Sequence, residues 1–188
     1  MPKSQGWKIT EIVTVVALSA ALGVLWWGWT FLDAAASPLL KPLGLSYLTA
    51  GFWFTGGTLI PFIVRRPGAA LVGEVLAAAL ESLITSWGLT ALLWGAVQGV
   101  GAELVFLLFR YRRFDALTLI LAGALSGLFS WGLDFVYSSY WTLTPWVWLV
   151  QIVAVLVSGI VLAGLLSLVL GKALIKTGVL RNLLPEEV

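Results

Sequence analysis

PWVWLVQIVAVLVSGIVLAGLLSLVLG, residues 145–171, runs for twenty-seven residues without a charged side chain. As a helix it would be about 40 Å long, more than the ~30 Å hydrocarbon thickness of a bilayer. Its apolar residues are continuous rather than alternating, and a barrel strand needs only about 9–11 residues, so a strand reading fails. This stretch is a membrane-spanning helix.

Working outward, five similar runs precede it, at residues 8–31, 47–64, 68–86, 91–109 and 116–137. Each is long enough to cross the bilayer with some tilt. The expected fold is therefore an all-α membrane protein, a six-helix transmembrane bundle that occupies residues 1–188 as one domain. Composition agrees. Of 188 residues 60% are hydrophobic and 11% charged, and mean hydropathy is +1.01. A water-soluble domain carries about a quarter of its residues charged, so lipid is the solvent for most of this surface.

Lysine and arginine orient the bundle. Lys3, Lys8, Arg65, Arg66, Arg110, Arg112, Arg113, Lys172, Lys176 and Arg181 fall on one side of the six spans, and only Lys41 on the other. By the positive-inside rule the basic side faces the cytoplasm, so both termini are expected there, in a multi-pass cell-membrane protein. The AAAS at 34–37 resembles a signal-peptidase site, but the apolar run before it is too long and carries Trp26, Trp27 and Trp29, so no cleavage is expected.

Several chemistries are excluded. The chain has no cysteine and no histidine, which removes disulfides, thiol catalysis, haem ligation and ordinary zinc sites. Around Gly171-Lys172 the spacing and hydroxyl residue of a phosphate-binding P-loop are missing, and no histidine exists to activate a serine. The expectation is a protein that is not an enzyme, with no cofactor, metal or nucleic-acid partner. No internal duplication of the kind found in large secondary transporters is visible.

Small residues mark where helices meet, because apolar helices in lipid associate through close packing. Gly95 with Gly99, Gly123 with Gly127, Gly159 with Ala163, and the stripe Ala70, Ala77, Ala78 are read as internal packing. Ala17 and Ala21 in the first span form a similar pair and are a candidate surface for a partner helix.

Charges inside spans carry more information. Glu74, Glu81, Glu103 and Asp134, with Gln98, lie where a carboxylate costs roughly 2.5–3.5 kcal/mol on insertion scales, so each should face the bundle interior. Glu74 and Glu81 are two turns apart and share a face. Glu74 and Glu103 lie deeper, where they either pair with each other, Gln98, Arg66 or Arg110, or reach a substrate. Glu81 and Asp134 lie towards the outer side. There the aromatics gather: ten of eleven tryptophans, all but Trp7, fall in the outer half, with Tyr47, Tyr137 and Tyr140. An anchoring belt would decorate both interfaces. One-sided enrichment beside carboxylates points to an outward-facing pocket for a small, flat, cationic organic molecule.

RRPGAAL at 65–71, followed by Glu74, Ala77-Ala78 and Glu81, resembles the signature of YkoE-type proteins. QGVGAE at 98–103 with Phe106, and TGVL at 177–180, resemble it too. These are substrate-binding S components of energy-coupling factor (ECF) transporters, associated with thiamine or its hydroxymethylpyrimidine (HMP) precursor, and the resemblance extends over nearly the whole chain. It implies an S-component fold whose pocket is closed by the connections at 33–46, 85–90 and 138–144. It implies three partners, a transmembrane coupling protein and two ATPase subunits, with Ala17 and Ala21 as the coupling motif. It also implies a cycle in which the chain takes vitamin from outside and tilts to release it inward. Thiamine fits the chemistry: its thiazolium is a permanent cation and its aminopyrimidine a flat donor–acceptor ring. Glu81 is assigned to the cation and Asp134 or Gln98 to the pyrimidine, with Glu103 next in order. Trp87, Trp131, Trp141, Tyr47 and Tyr137 are candidate walls. The competing reading is a proton- or ion-coupled carrier working without ATPases, with the buried acids as its relay.

Overall fold

The computed structural model describes residues 6–178. Lys3 and Arg181 of the charge pattern, and the last two residues of the 177–180 motif, lie outside the described residues. Every regular element among the described residues is helical. They are α1 (Ile9–Leu40), α2 (Gly56–Val64), α3 (Ala69–Ser82), α4 (Thr90–Leu108), α5 (Ala116–Tyr137), α6 (Pro145–Ser158) and α7 (Leu166–Lys176). A π-helical stretch, Gly159–Leu165, joins α6 to α7 as one rod, so the described residues form six helical rods.

Four rods are long and apolar enough to cross a membrane: Ile9–Leu43, Thr90–Leu108, Ala116–Tyr137 and Pro145–Lys176. The other two differ from expectation. The run at 47–64 is broken into two short 3₁₀ turns, Ser46–Leu48 and Ala50–Phe54, and the nine-residue α2. The run at 68–86 gives a fourteen-residue helix that stops at Ser82. At 1.5 Å per residue the regular helices are about 14 and 21 Å long, so irregular backbone beside them completes the second and third rods of the bundle. Every residue of α2 is buried and none at 46–54 is exposed, so the irregular backbone is largely enclosed by protein. Gly51 shows why the chain breaks there. A Cβ on it would lie 2.1 Å from the Ser158 carbonyl oxygen, and Ser158 Oγ accepts from Gly51 N–H at 2.7 Å and donates to Leu48 O at 2.8 Å. The segment is stitched to the last rod through its own backbone.

The first helix is longer than expected, running on through Asp33 and three alanines to Leu40. Alanine is the strongest helix former, and Pro38 falls so near the end that little of the helix lies beyond it. The chain turns away at Gly44, whose φ of 72° is left-handed. α5 begins with a reciprocal cap: Asp115 Oδ1 accepts from Thr118 N–H, and Thr118 Oγ1 accepts from Asp115 N–H.

α3 packs between α1 and α4, α4 between α3 and α5, and α5 against the α6–α7 rod. The glycine pairs are contact points. A Cβ on Gly123 would lie 2.2 Å from Gly159 O, so α5 and the π-helical stretch touch backbone to backbone. The α1–α3 seam is closed by Ser19 Oγ donating to Gly73 O at 3.1 Å. The outer faces carry exposed apolar side chains such as Ile9, Leu39, Leu108 and Val169, as a lipid-facing surface requires. The up-and-down course gathers Lys8, Arg65, Arg66, Arg110, Arg112, Arg113, Lys172 and Lys176 at one end, and Lys41 at the other. At the basic end Arg66 pairs with Glu11 at 3.0 Å and ties the α2–α3 turn to α1.

Candidate functional site

At the end opposite the basic residues, α1, the broken segment, α3, α4 and α5 enclose a cavity of about 440 Å³, within the range of small-molecule sites. Helical register builds it. Ala78 and Glu81 on α3, Ala91, Trp94, Gly95 and Gln98 on α4, and Ser130 and Asp134 on α5 recur at three- and four-residue spacing, so each helix gives one face. Alanine and glycine at three of these positions leave the space that the larger groups surround.

Two carboxylates enter from different helices. Glu81 is 2% exposed; its Oε1 accepts from Trp53 Nε1–H at 2.8 Å, and its Oε2 has no hydrogen bond among the described residues. Asp134 has both oxygens engaged: Trp94 Nε1–H donates to Oδ1 at 2.9 Å and the Tyr47 hydroxyl to Oδ2 at 2.7 Å. Gln98 donates from Nε2 to Ser130 Oγ at 3.0 Å, which leaves its side-chain carbonyl uncommitted. The cavity thus offers free acceptors on Glu81 and Gln98, and a further one on Asp33, whose Oδ2 has no hydrogen bond among the described residues. Trp53 and Trp87 line it together, with ring centroids 5.6 Å apart and planes tilted by 43°. Trp26 is buried, its indole N–H bonded to Thr55 Oγ1 at 2.9 Å. Asp33 lines the cavity as well, accepting from Thr49 Oγ1, while Trp29 donates to Thr49 O at 2.9 Å. These two bonds fasten α1 to the broken segment.

Glu81, Asp134, Gln98, Trp87 and Tyr47 therefore meet around one space. Glu103, Trp131, Trp141 and Tyr137 do not line it. Glu103 instead accepts from the N–H groups of Gly68 (2.6 Å), Ala70 (3.0 Å) and Leu71 (3.2 Å), closing the N-terminus of α3. Beside it, burial and then the Glu103 carboxyl push the Tyr111 phenol up to about 12. Trp131 follows Ser130, so it points off the cavity face, and its N–H donates to Gln151 at 3.1 Å. Tyr137 is exposed and packs edge-on against Trp94 at 4.8 Å. Trp141 is exposed and meets Phe135. Glu74 is buried in the core, where Gly57 N–H donates to one oxygen, and it forms no pair with Glu103, Gln98, Arg66 or Arg110. The expected site did not include Trp53, Trp94, Trp26, Asp33 and Ser130. Trp94 had a signal: it lies one turn from Gln98 on the same face. Trp53 had only the one-sided gathering of tryptophans to mark it, because the segment that aims it is not a regular helix.

Three comparisons bear on this arrangement. Residues 10–129 match the family model described as the permease component of an ABC-type cobalt transport system. A Bacillus subtilis (strain 168) protein that carries the name HMP/thiamine permease protein YkoE is 34% identical over 180 residues, covering 95% of this chain and 90% of the relative. A crystal structure of an S component of an ECF transporter superposes with a TM-score of 0.89 at 34% identity, covering 94% of this chain and 90% of that one.

Proposed function

This chain belongs to the YkoE-type S components of ECF transporters, and from that membership we propose that it captures thiamine or HMP in the indole-walled cavity and passes it inward. It is a multi-pass membrane transport protein and not an enzyme. The observation that carries the ligand reading is Glu81. Its carboxyl group is oriented by Trp53, has one oxygen free, and stands beside the Trp53–Trp87 pair. A flat cation against those rings gains ring stacking, a cation–π contact and a nearby opposite charge together. The amino group of a pyrimidine is a donor that the Gln98 carbonyl or the free Glu81 oxygen can accept.

The name of the matching family model raises cobalt. The residues favour an organic cargo instead: the chain has no histidine or cysteine, and no group of three or more Asp or Glu that could hold a metal occurs among the described residues. We place the basic end in the cytoplasm on the charge pattern, which opens the cavity to the outside. A transmembrane coupling protein and two ATPase subunits would complete the transporter. Ala17 and Ala21 support α1 as the docking helix, since both are exposed on its outer face.

The test is to purify the protein from cells grown on complete medium and identify by mass spectrometry what it carries. The expected result is one pyrimidine-containing molecule per chain. A metal ion, or a molecule lacking both the pyrimidine and a cationic ring, would overturn the reading.

A further inference from the structure

A second cavity, of about 500 Å³, adjoins the first between the α1–α2 connection and the start of α6. Lys41, Ser46 and Tyr140 line both, so the two are contiguous. Their balance of charge differs. The first holds Asp33, Glu81 and Asp134 beside Lys41; among the described residues no carboxylate lines the second, and its one charged group is Lys41. The Lys41 ammonium makes no ion pair or side-chain hydrogen bond among the described residues. Gln151, also in this lining, is 5% exposed. Its carbonyl is taken by Trp131, which fixes the amide with its N–H₂ donors unused. The Ser46 hydroxyl is likewise uncommitted, and the Tyr140 backbone is held by Trp148 Nε1–H at 2.7 Å. The chamber presents an ammonium, an amide N–H₂ and the Ser46 hydroxyl, a donor set that suits a phosphate, while the Tyr140 hydroxyl is engaged with that of Tyr47 at 3.5 Å.

We propose that the second cavity is an anion subsite that receives the phosphate of a phosphorylated ligand whose flat head lies in the first cavity. This rests on the proposed thiamine or HMP reading of the first cavity. It extends the ligand class from the free vitamin to its phosphate monoesters, with Lys41 and Gln151 reading the phosphate.

The experiment is calorimetry of thiamine and thiamine monophosphate against the purified full chain in lipid-free detergent. The variants are Lys41→Gln, which keeps the stem and removes the charge, and Gln151→Glu, which keeps the acceptor for Trp131 and replaces the donor with a repelling group. The expected readout is the ratio of the two affinities. It should move against the monophosphate by about tenfold or more in each variant, as the loss of a charge-assisted contact implies. An unchanged ratio in Lys41→Gln, or wild-type protein that rejects the monophosphate by about a hundredfold or more, overturns the subsite and leaves the thiamine reading standing. Failure of thiamine itself to bind overturns both. A lipid headgroup as the true occupant would show as monophosphate binding that weakens when phosphatidylglycerol nanodiscs replace detergent, and that result also overturns the proposal.

Discussion

Replacing Glu81 by glutamine removes one charge from the cavity and almost nothing else. The glutamine carbonyl can keep the 2.8 Å bond from Trp53 Nε1–H, with the new amide where the free oxygen stands. Trp53 and Trp87 keep their positions, so stacking and cation–π attraction persist. What is lost is the difference between a charge-assisted contact, about 1.5–3 kcal/mol, and a neutral one near 1 kcal/mol. Thiamine should therefore bind about tenfold more weakly. HMP carries no thiazolium, and its loss should be about threefold or less on the same reasoning. Gln98→Ala is the control: if its carbonyl holds the shared pyrimidine, both ligands weaken together. Calorimetry with both ligands against both variants provides the comparison. Equal losses for thiamine and HMP in Glu81→Gln would refute the assignment of Glu81 to the cation.

Gly51→Ala and Gly123→Ala each push a methyl group to within 2.2 Å of a backbone carbonyl, and should destabilise by at least about 1–3 kcal/mol. Gly28→Ala and Gly132→Ala, with nothing within 4 Å, should not; thermal melts followed by tryptophan fluorescence separate the two sets. Ala17→Leu with Ala21→Leu should leave ligand binding by the purified chain intact, because both positions are exposed, yet sharply reduce ATP-driven uptake in cells with the complete transporter. Unchanged uptake would place the docking surface elsewhere. The chain has no cysteine, so single cysteines report topology cleanly: at Arg112 and Lys176 they should label from the cytoplasm, and at Ser86 and Ser139 from outside.

Where a helix is regular, residue spacing was enough to place its groups. Glu81, Gln98 and Asp134 were legible because a carboxyl or amide group in an apolar helix has to face inward, and all three line the cavity. The same spacing argues against one expected wall and one expected ligand-binding acid. Trp131 sits about 100° from Ser130, and Glu103 falls too near the basic end of α4, where free N–H groups of α3 take it up. The run at 47–64 forms the second rod, but its break into 3₁₀ turns was hidden, because hydropathy records burial and not the regularity of the helix. Trp53 was hidden for that reason, and its bond to Glu81 joins residues 28 apart in sequence. The extension of α1 to Leu40 was hidden by Asp33 and Pro38, two residues that usually signal a helix end.

The central claim is that the indole-walled cavity is where the vitamin sits, and a crystal structure of the protein grown with thiamine tests it most directly. One thiamine is expected in that cavity, with a ring centroid about 4.5–7 Å from that of Trp53 or Trp87 and the free oxygen of Glu81 facing the ligand. Thiamine bound elsewhere, with the cavity between α3, α4 and α5 unoccupied, would contradict it.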